Sequence, residues 1–230
     1  MRAELFGIKI AVGRRDELLC WARSLIGKGG KIATVNPIMM SYALENGDFR
    51  EVLSGFDLCI PDGVGIKAAL LLRREHTDTL AGVELGAELA GRGAITLGLI
   101  GGGEGVARRA MDNLRISNRE LSEAFVFDGY SYSEEEICES LKQSRPDLVF
   151  VCLGTPKQEM LISTLAEISP STVFVGLGGS LDIYSGMKRR APRIFRRLGA
   201  EWLWRMIKEP RRIKGLLRIL AFMRAALVRG

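Results

Sequence analysis

Residues 31–37 read KIATVNP, residues 56–65 read FDLCIPDGVG and residues 148–159 read LVFVCLGTPKQE. Each is a short, mainly apolar run that ends at Pro or Gly and passes directly into a helix-forming stretch. Runs of this kind belong to parallel strands covered on both faces; a strand with one wet face would alternate instead. The pattern recurs at Phe6–Val12, Ala94–Ile100, Ala124–Phe127 and Thr172–Val175. Helical patterns fill the intervals: Asp16–Ile26, Ile38–Leu44, Val64–Leu72, Val106–Leu114, a helix opened by the Ser133 and Glu136 capping box, and Lys157–Ile168. The expected fold is α/β, a Rossmann-like, mostly parallel sheet with helices on both faces. Right-handed crossovers then gather the post-strand loops at one sheet edge, where such folds bind ligands.

The chain has 230 residues and is 47% hydrophobic, enough to bury a full core and to exclude a fibrous or disordered protein. The four cysteines form no CxxC pair and read as free thiols of a reducing compartment. A single histidine, His76, argues against a histidine-rich metal site or a His-based triad. No DxD-type pair stands at a strand end, so neither metal nor cofactor is implied. The N-terminal stretch carries charges inside its apolar run and makes a poor signal peptide.

Charge is unevenly placed. Residues 187–230 carry 14 Lys/Arg and two Glu, a net +12, while the remaining chain carries 19 basic and 25 acidic groups, a net −6. This divides the chain into an α/β domain over 1–197 and a basic amphipathic C-terminal appendage over 198–230. Within the appendage, Leu198–Lys208 reads as a helix bearing Trp202 and Trp204, interrupted by Pro210, and Arg211–Val228 reads as a second helix. Leu216, Leu220, Met223 and Leu227 share one face, with Arg211, Lys214 and Arg218 away from it. No stretch reaches the roughly 18 apolar residues of a membrane span. Such a helix suits an anionic membrane surface; packing on the body or in a homo-oligomer is the alternative.

Three groups at strand ends could do chemistry: Thr34–Pro37, Pro61–Gly65 and Gly154–Glu159. Asp62 is placed either as a general base toward a substrate hydroxyl or as a helix cap, and the residues leave both open. Glycines at 98, 101, 102, 103 and 105 precede a helix and would cradle a diphosphate, although the spacing is no clean dinucleotide fingerprint. A second glycine loop, 176–182, is followed by Lys188, Arg189, Arg190 and Arg193, which suits a nucleotide-linked or lipid-linked diphosphate. The diphosphate is therefore expected against Gly63, Gly101, Gly102, Gly154, Lys157, Gly178 and Asp182, with Arg190 and Arg211 as cations.

These segments, in order, resemble the WecG/TagA/CpsF family of bacterial glycosyltransferases. The resemblance is carried by ATVNPIMM, CIPDGVGIKAAL, AGVEL, GLIGGGEGVARRA, FDGY, VCLGTPKQE, FVGLGGSLDIYSG and RRAPRIFRRLGAEWLWRMIKEPRR. It implies inverting, metal-independent transfer of an N-acetylmannosamine-type sugar. The donor would be a UDP-sugar and the acceptor a polyprenyl-diphosphate-linked N-acetylglucosamine, in teichoic acid or other envelope polysaccharide synthesis. It implies a peripheral enzyme at the cytoplasmic face of the membrane. It also implies Asp62 as the base that takes the acceptor proton, with Thr34, Asn36 and Gln158 in the same pocket, and an appendage that carries the site to the membrane. One position departs from the pattern. Many members have an arginine three residues before the glycine of the AGVEL-like segment, and here that residue is Thr79; Arg190 or Arg211 would compensate.

Alternatives within the same fold are another UDP-hexose or uronic acid donor, or a non-catalytic envelope regulator. A dinucleotide-dependent oxidoreductase would need the glycine fingerprint at the first strand. A nucleic-acid-binding module would use the basic tail, but Leu, Met, Phe and Trp at helical spacing there fit lipid better, so no nucleic-acid partner is expected.

Overall fold

The computed structural model describes residues 1–129, 132–192, 195, 201, 204 and 214–228. The expectations for Tyr130, Arg193 and Arg211, and for the Leu198–Lys208 helix broken at Pro210, lie outside them, apart from Glu201 and Trp204.

Eight strands form one sheet: β1 (Arg2–Leu5), β2 (Ile8–Ala11), β3 (Gly30–Val35), β4 (Leu58–Pro61), β5 (Thr96–Gly101), β6 (Ser122–Phe127), β7 (Leu148–Cys152) and β8 (Val173–Gly176), in the order β1-β2-β4-β3-β8-β7-β5-β6. All neighbours are parallel except β1 and β2. The expected strand Phe6–Val12 is present as β2, and an unanticipated strand β1 precedes it to form a hairpin. Phe6 and Gly7 both have positive φ, 55° and 84°, the backbone of a two-residue turn matched to the strand twist. A phenylalanine at the first turn position is what hid the turn in the sequence.

β7 shows why the parallel reading works. All five of its residues are buried, with Val149 and Val151 packed to one side of the sheet and Leu148, Phe150 and Cys152 to the other. The first side is covered by α2 (Pro37–Glu45), α3 (Gly47–Ser54), α4 (Val64–Leu71), α7 (Glu134–Ser144), α8 (Lys157–Ile168) and the C-terminal helix α10 (Lys214–Val228). The second is covered by α1 (Arg15–Arg23), α5 (Gly82–Ala90), α6 (Val106–Ser117) and the short α9 (Ser180–Tyr184). Helices α3, α5 and α9 were not anticipated. α5 packs its apolar residues Val83, Leu85 and Leu89 inward, but it starts at a glycine without a capping side chain. α9 is a single turn.

The C-terminal helix docks on α2 and α4 by a face distinct from the leucine stripe. Phe222 and Ala226 are buried and Gly215 and Ile219 partly so, whereas Leu220 and Leu227 are exposed. The stripe expected from Leu216, Leu220, Met223 and Leu227 lies roughly a quarter-turn from the docking line, at about 100° per residue. The Phe222 ring stands edge-on to Phe6 at 6.1 Å, and Phe6 also carries the Arg73 guanidinium over its face at 5.4 Å. The N-terminal hairpin therefore anchors the C-terminal helix. Phe222→Ala removes that anchor. It should speed amide exchange across 214–228 by at least about tenfold while leaving β7 protected, as expected of local opening at a peripheral unit; hydrogen-exchange mass spectrometry reads both.

Candidate active site

Strand β3 carries the site. Its register sets Ala33 beside Gly176 of β8 and Val35 beside Pro61 of β4. Asn36 and Asp62 thereby leave adjacent strand ends, and the Asp62 N–H donates to the Val35 carbonyl at 2.8 Å. The Thr34 hydroxyl donates to the Gly176 carbonyl at 2.9 Å and is buried. Gly65 is required beside them, since a Cβ there would stand 2.4 Å from Pro37 Cγ. The starts of α2 and α4 can approach this closely only because that side chain is absent.

Over these strand ends lies a cavity of about 1550 Å³. Thr34, Asn36, Asp62 and Gln158 all line it, as do Gly63, Gly102, Gly154, Lys157, Gly178, Asp182 and Arg190. Gly101 does not. Its backbone is pressed against β7, where a Cβ would meet the Cys152 carbonyl oxygen at 2.3 Å, so this glycine serves strand packing. Gly215, Ile219 and Met223 of α10 form part of the wall, so the cavity lies between the sheet edge and the C-terminal helix. Asp62 is half-buried.

The helix starts around the cavity differ in what they still offer. At α2 the Asn36 side-chain oxygen accepts from the N–H groups of Ile38 and Met39, both at 3.0 Å, so Asn36 acts as the N-cap. At α6 the Asp128 carboxylate accepts from the N–H groups of Gly105 and Ala107 at 2.8 and 3.4 Å. The diphosphate cradle expected on this glycine loop is therefore already occupied by a carboxylate at its helix end. α4, α5 and α8 begin at Gly63, Ala81 and Pro156 without a side-chain cap. Their dipoles face the cavity and would favour an anion there.

Charged groups on the wall form a chain. Arg15 pairs with Glu84 at 2.5 Å, and Arg190 pairs with Glu84 at 2.6 Å and with Glu201 at 3.0 Å. Burial would raise the Glu84 carboxyl, but hydrogen bonds from Arg190 and Arg15 hold it below the ordinary value. Thr79 lines the same cavity as both arginines. Asp182 pairs with Lys188 at 3.0 Å. Sequence reasoning singled out neither Arg15 nor Glu84 for a role. Nearly 70 residues separate the two, and only the packing of α1 on α5 joins them. Among the described residues no three His, Cys, Asp or Glu side chains gather as a metal site requires.

Gln158 is 2% exposed and spans two elements: its side-chain oxygen accepts from the Gly178 N–H at 3.0 Å, and its side-chain nitrogen donates to Glu159. Burial pushes the Glu159 carboxyl up to about 7, and the hydrogen bond from Gln158 offsets only part of this.

Residues 3–230 match the model of the Glycosyl transferase WecG/TagA/CpsF family, so the chain belongs to that family and is a glycosyltransferase. Three relatives are each named N-acetylglucosaminyldiphosphoundecaprenol N-acetyl-beta-D-mannosaminyltransferase. The Bacillus spizizenii protein is 32% identical over 204 residues, covering 87% of this chain and 79% of its own. The Bacillus subtilis protein is 32% identical over 195 residues, covering 83% and 76%. The Staphylococcus aureus protein is 33% identical over 196 residues, covering 84% and 77%.

Glu159 makes the fold pH-sensitive with a definite sign. An acid whose folded pKa is raised from 4.5 to about 7 holds its proton more tightly in the folded state. Its full contribution is present below about pH 4.5 and is lost as pH rises through 7, in total about 3 kcal/mol. Glu159→Gln should flatten the decline in unfolding free energy between pH 5 and pH 7, measured by urea denaturation.

Proposed function

We propose that this protein transfers an N-acetylmannosamine-type sugar from a UDP-sugar to a polyprenyl-diphosphate-linked N-acetylglucosamine, with inversion and without a metal, in teichoic acid or related envelope polysaccharide synthesis. The observation that carries the reading is one cavity in which Thr34, Asn36, Asp62 and Gln158 meet beside uncapped helix starts. The names of the three relatives supply the sugars.

Asp62 is the base in this reading. Inverting transfer needs one carboxylate on the acceptor side of the anomeric carbon, to take the hydroxyl proton as the new glycosidic bond forms. As the bond to UDP breaks, negative charge grows on the leaving diphosphate. Fixed dipoles of α4, α5 and α8, with Lys157, Arg15 and Arg190 on the wall, stabilise that charge most in the transition state. Arg15 and Arg190 stand in for the cation that Thr79 lacks.

A lipid acceptor fits the outer side of the cavity. Leu217, Leu220, Leu227 and Val228 of α10 are exposed, with Arg218 and Arg224 among them. Val64 and Leu71 of α4, which packs beside α10, and the adjoining Leu72 are exposed as well. Among the described residues no helix is long and apolar enough to cross a membrane. Apolar side chains interspersed with arginines suit the headgroup boundary of an anionic leaflet, and a site opening beside them would meet its acceptor there.

The test is a mass-spectrometric transfer assay with a panel of UDP-sugars and a short-chain lipid-diphosphate N-acetylglucosamine, in EDTA. Turnover with UDP-N-acetylmannosamine supports the reading. Turnover only with another UDP-sugar changes the donor, and none with any donor overturns it. Asp62→Asn should keep the fold and UDP binding while lowering kcat by about 10³-fold, the middle of the range for a general base; a variant with wild-type kcat would remove Asp62 from that role.

A further inference from the structure

The β7–α8 junction holds a carboxyl group that the transfer itself does not use. Glu159 is 0% exposed and lies on the inner side of the first turn of α8. Its Oε1 accepts from Gln158 Nε2, and its Oε2 is enclosed with no hydrogen-bond partner of good geometry among the described residues. A buried carboxyl with an unsatisfied oxygen is costly, and an apolar side chain of similar volume would ordinarily be no worse for stability. What this carboxyl supplies is better sought in its neighbour.

A side-chain amide has two ends of similar shape but opposite hydrogen-bonding character, so packing alone does not choose between them. At Gln158 both ends are chosen. The Gly178 N–H can only donate and so takes the amide oxygen, at 3.0 Å. The Glu159 oxygen accepts the amide nitrogen. Gly176 leaves the space in which the amide lies, since a Cβ there would stand 3.0 Å from Gln158 Nε2. The same Gly176 accepts the Thr34 hydroxyl at 2.9 Å. A flipped Gln158 would set donor against donor at Gly178.

We propose that Glu159 is a positioning residue: with the Gly178 N–H fixing the oxygen end, it holds the nitrogen end of the Gln158 side-chain amide and so locks the amide in place at the cavity wall, fixing which atoms it offers to substrate. The proposal rests on the transferase reading above for its kinetic readout, but not for its spectroscopic one.

Glu159→Met keeps the volume and removes the acceptor; Glu159→Gln keeps an acceptor oxygen. The Met variant should melt at or above the wild-type Tm. Its kcat should fall by about 10- to 100-fold, the cost of a misplaced group at a reacting centre, with donor KM unchanged within about twofold. The Gln variant should recover to within about threefold of wild type on the same scale. Without substrate, the side-chain amide signals of Gln158, assigned by their loss in Gln158→Glu, should move toward free-amide positions in the Met variant only. A folded Met variant with wild-type kcat and unmoved Gln158 signals overturns the proposal, and so does a variant whose Tm and kcat fall together. Should the Met variant not fold, Glu159→Asp withdraws the acceptor by one methylene and keeps the carboxyl group: shifted signals and lower kcat support the proposal, wild-type values overturn it. A wild-type chain without turnover on any donor would sink the transferase reading instead, and the Gln158 signals would still decide this one.

Discussion

The lateral registration of β3 between β4 and β8 is the constraint on which the site depends. It sets Val35 against Pro61 and Ala33 against Gly176, which delivers Asn36 and Asp62 side by side and lets the Thr34 hydroxyl reach the Gly176 carbonyl. A slip of one residue would turn Ala33 and Val35, now packed in the core on one side of the sheet, toward the other and would part these groups. Both neighbours are parallel and fully buried, so the apolar pattern that specifies the sheet also specifies the site. Gly65 completes the approach, because α2 and α4 start too close for a side chain between them.

Electrostatics then select among places that look alike. Several glycine-rich strand ends open onto the cavity, but their helix starts are not equivalent. Asn36 and Asp128 satisfy the donors of α2 and α6, while α4, α5 and α8 begin without a side-chain cap. The wall cations Arg15 and Arg190 share Glu84, and Arg190 also reaches Glu201 of the C-terminal region. A leaving diphosphate would replace a carboxylate as partner to these arginines, an exchange of one anion for another that leaves no buried cation bare.

Much of this was legible in the sequence, and the gaps have physical causes. Apolar runs ending at Asn36-Pro37, at Pro61–Gly65 and at Gly154–Gln158 mark buried parallel strands and their loops, and the structure gathers those loops in one cavity. The N-terminal hairpin was hidden because Phe6 occupies a turn position that usually takes Asn, Asp or Gly. The docking face of α10 was not legible because Phe222 finds its partner, Phe6, more than 200 residues away. Gly101 and Gly105 showed only that backbone comes close to something. In both cases the something is protein, namely the Cys152 carbonyl and the Asp128 carboxylate. Glu159 stood inside a quoted motif, but burial and an orphaned oxygen are properties of packing that a linear pattern does not carry.

The C-terminal helix ties these features to a surface. One side of it docks on the body through Phe222 and Ala226, the other leaves leucines and arginines exposed beside the cavity mouth. The central claim is that the nucleotide diphosphate binds at the β3, β4, β7 and β8 strand ends and not on the α6 glycine loop. The most direct measurement is a titration with UDP followed by backbone amide NMR. The account predicts the largest shifts at Gly63, Gly154 and Gly178, with Gly105, already bonded to Asp128, nearly still. Large shifts at Gly105 with none at Gly63 or Gly154 would contradict it.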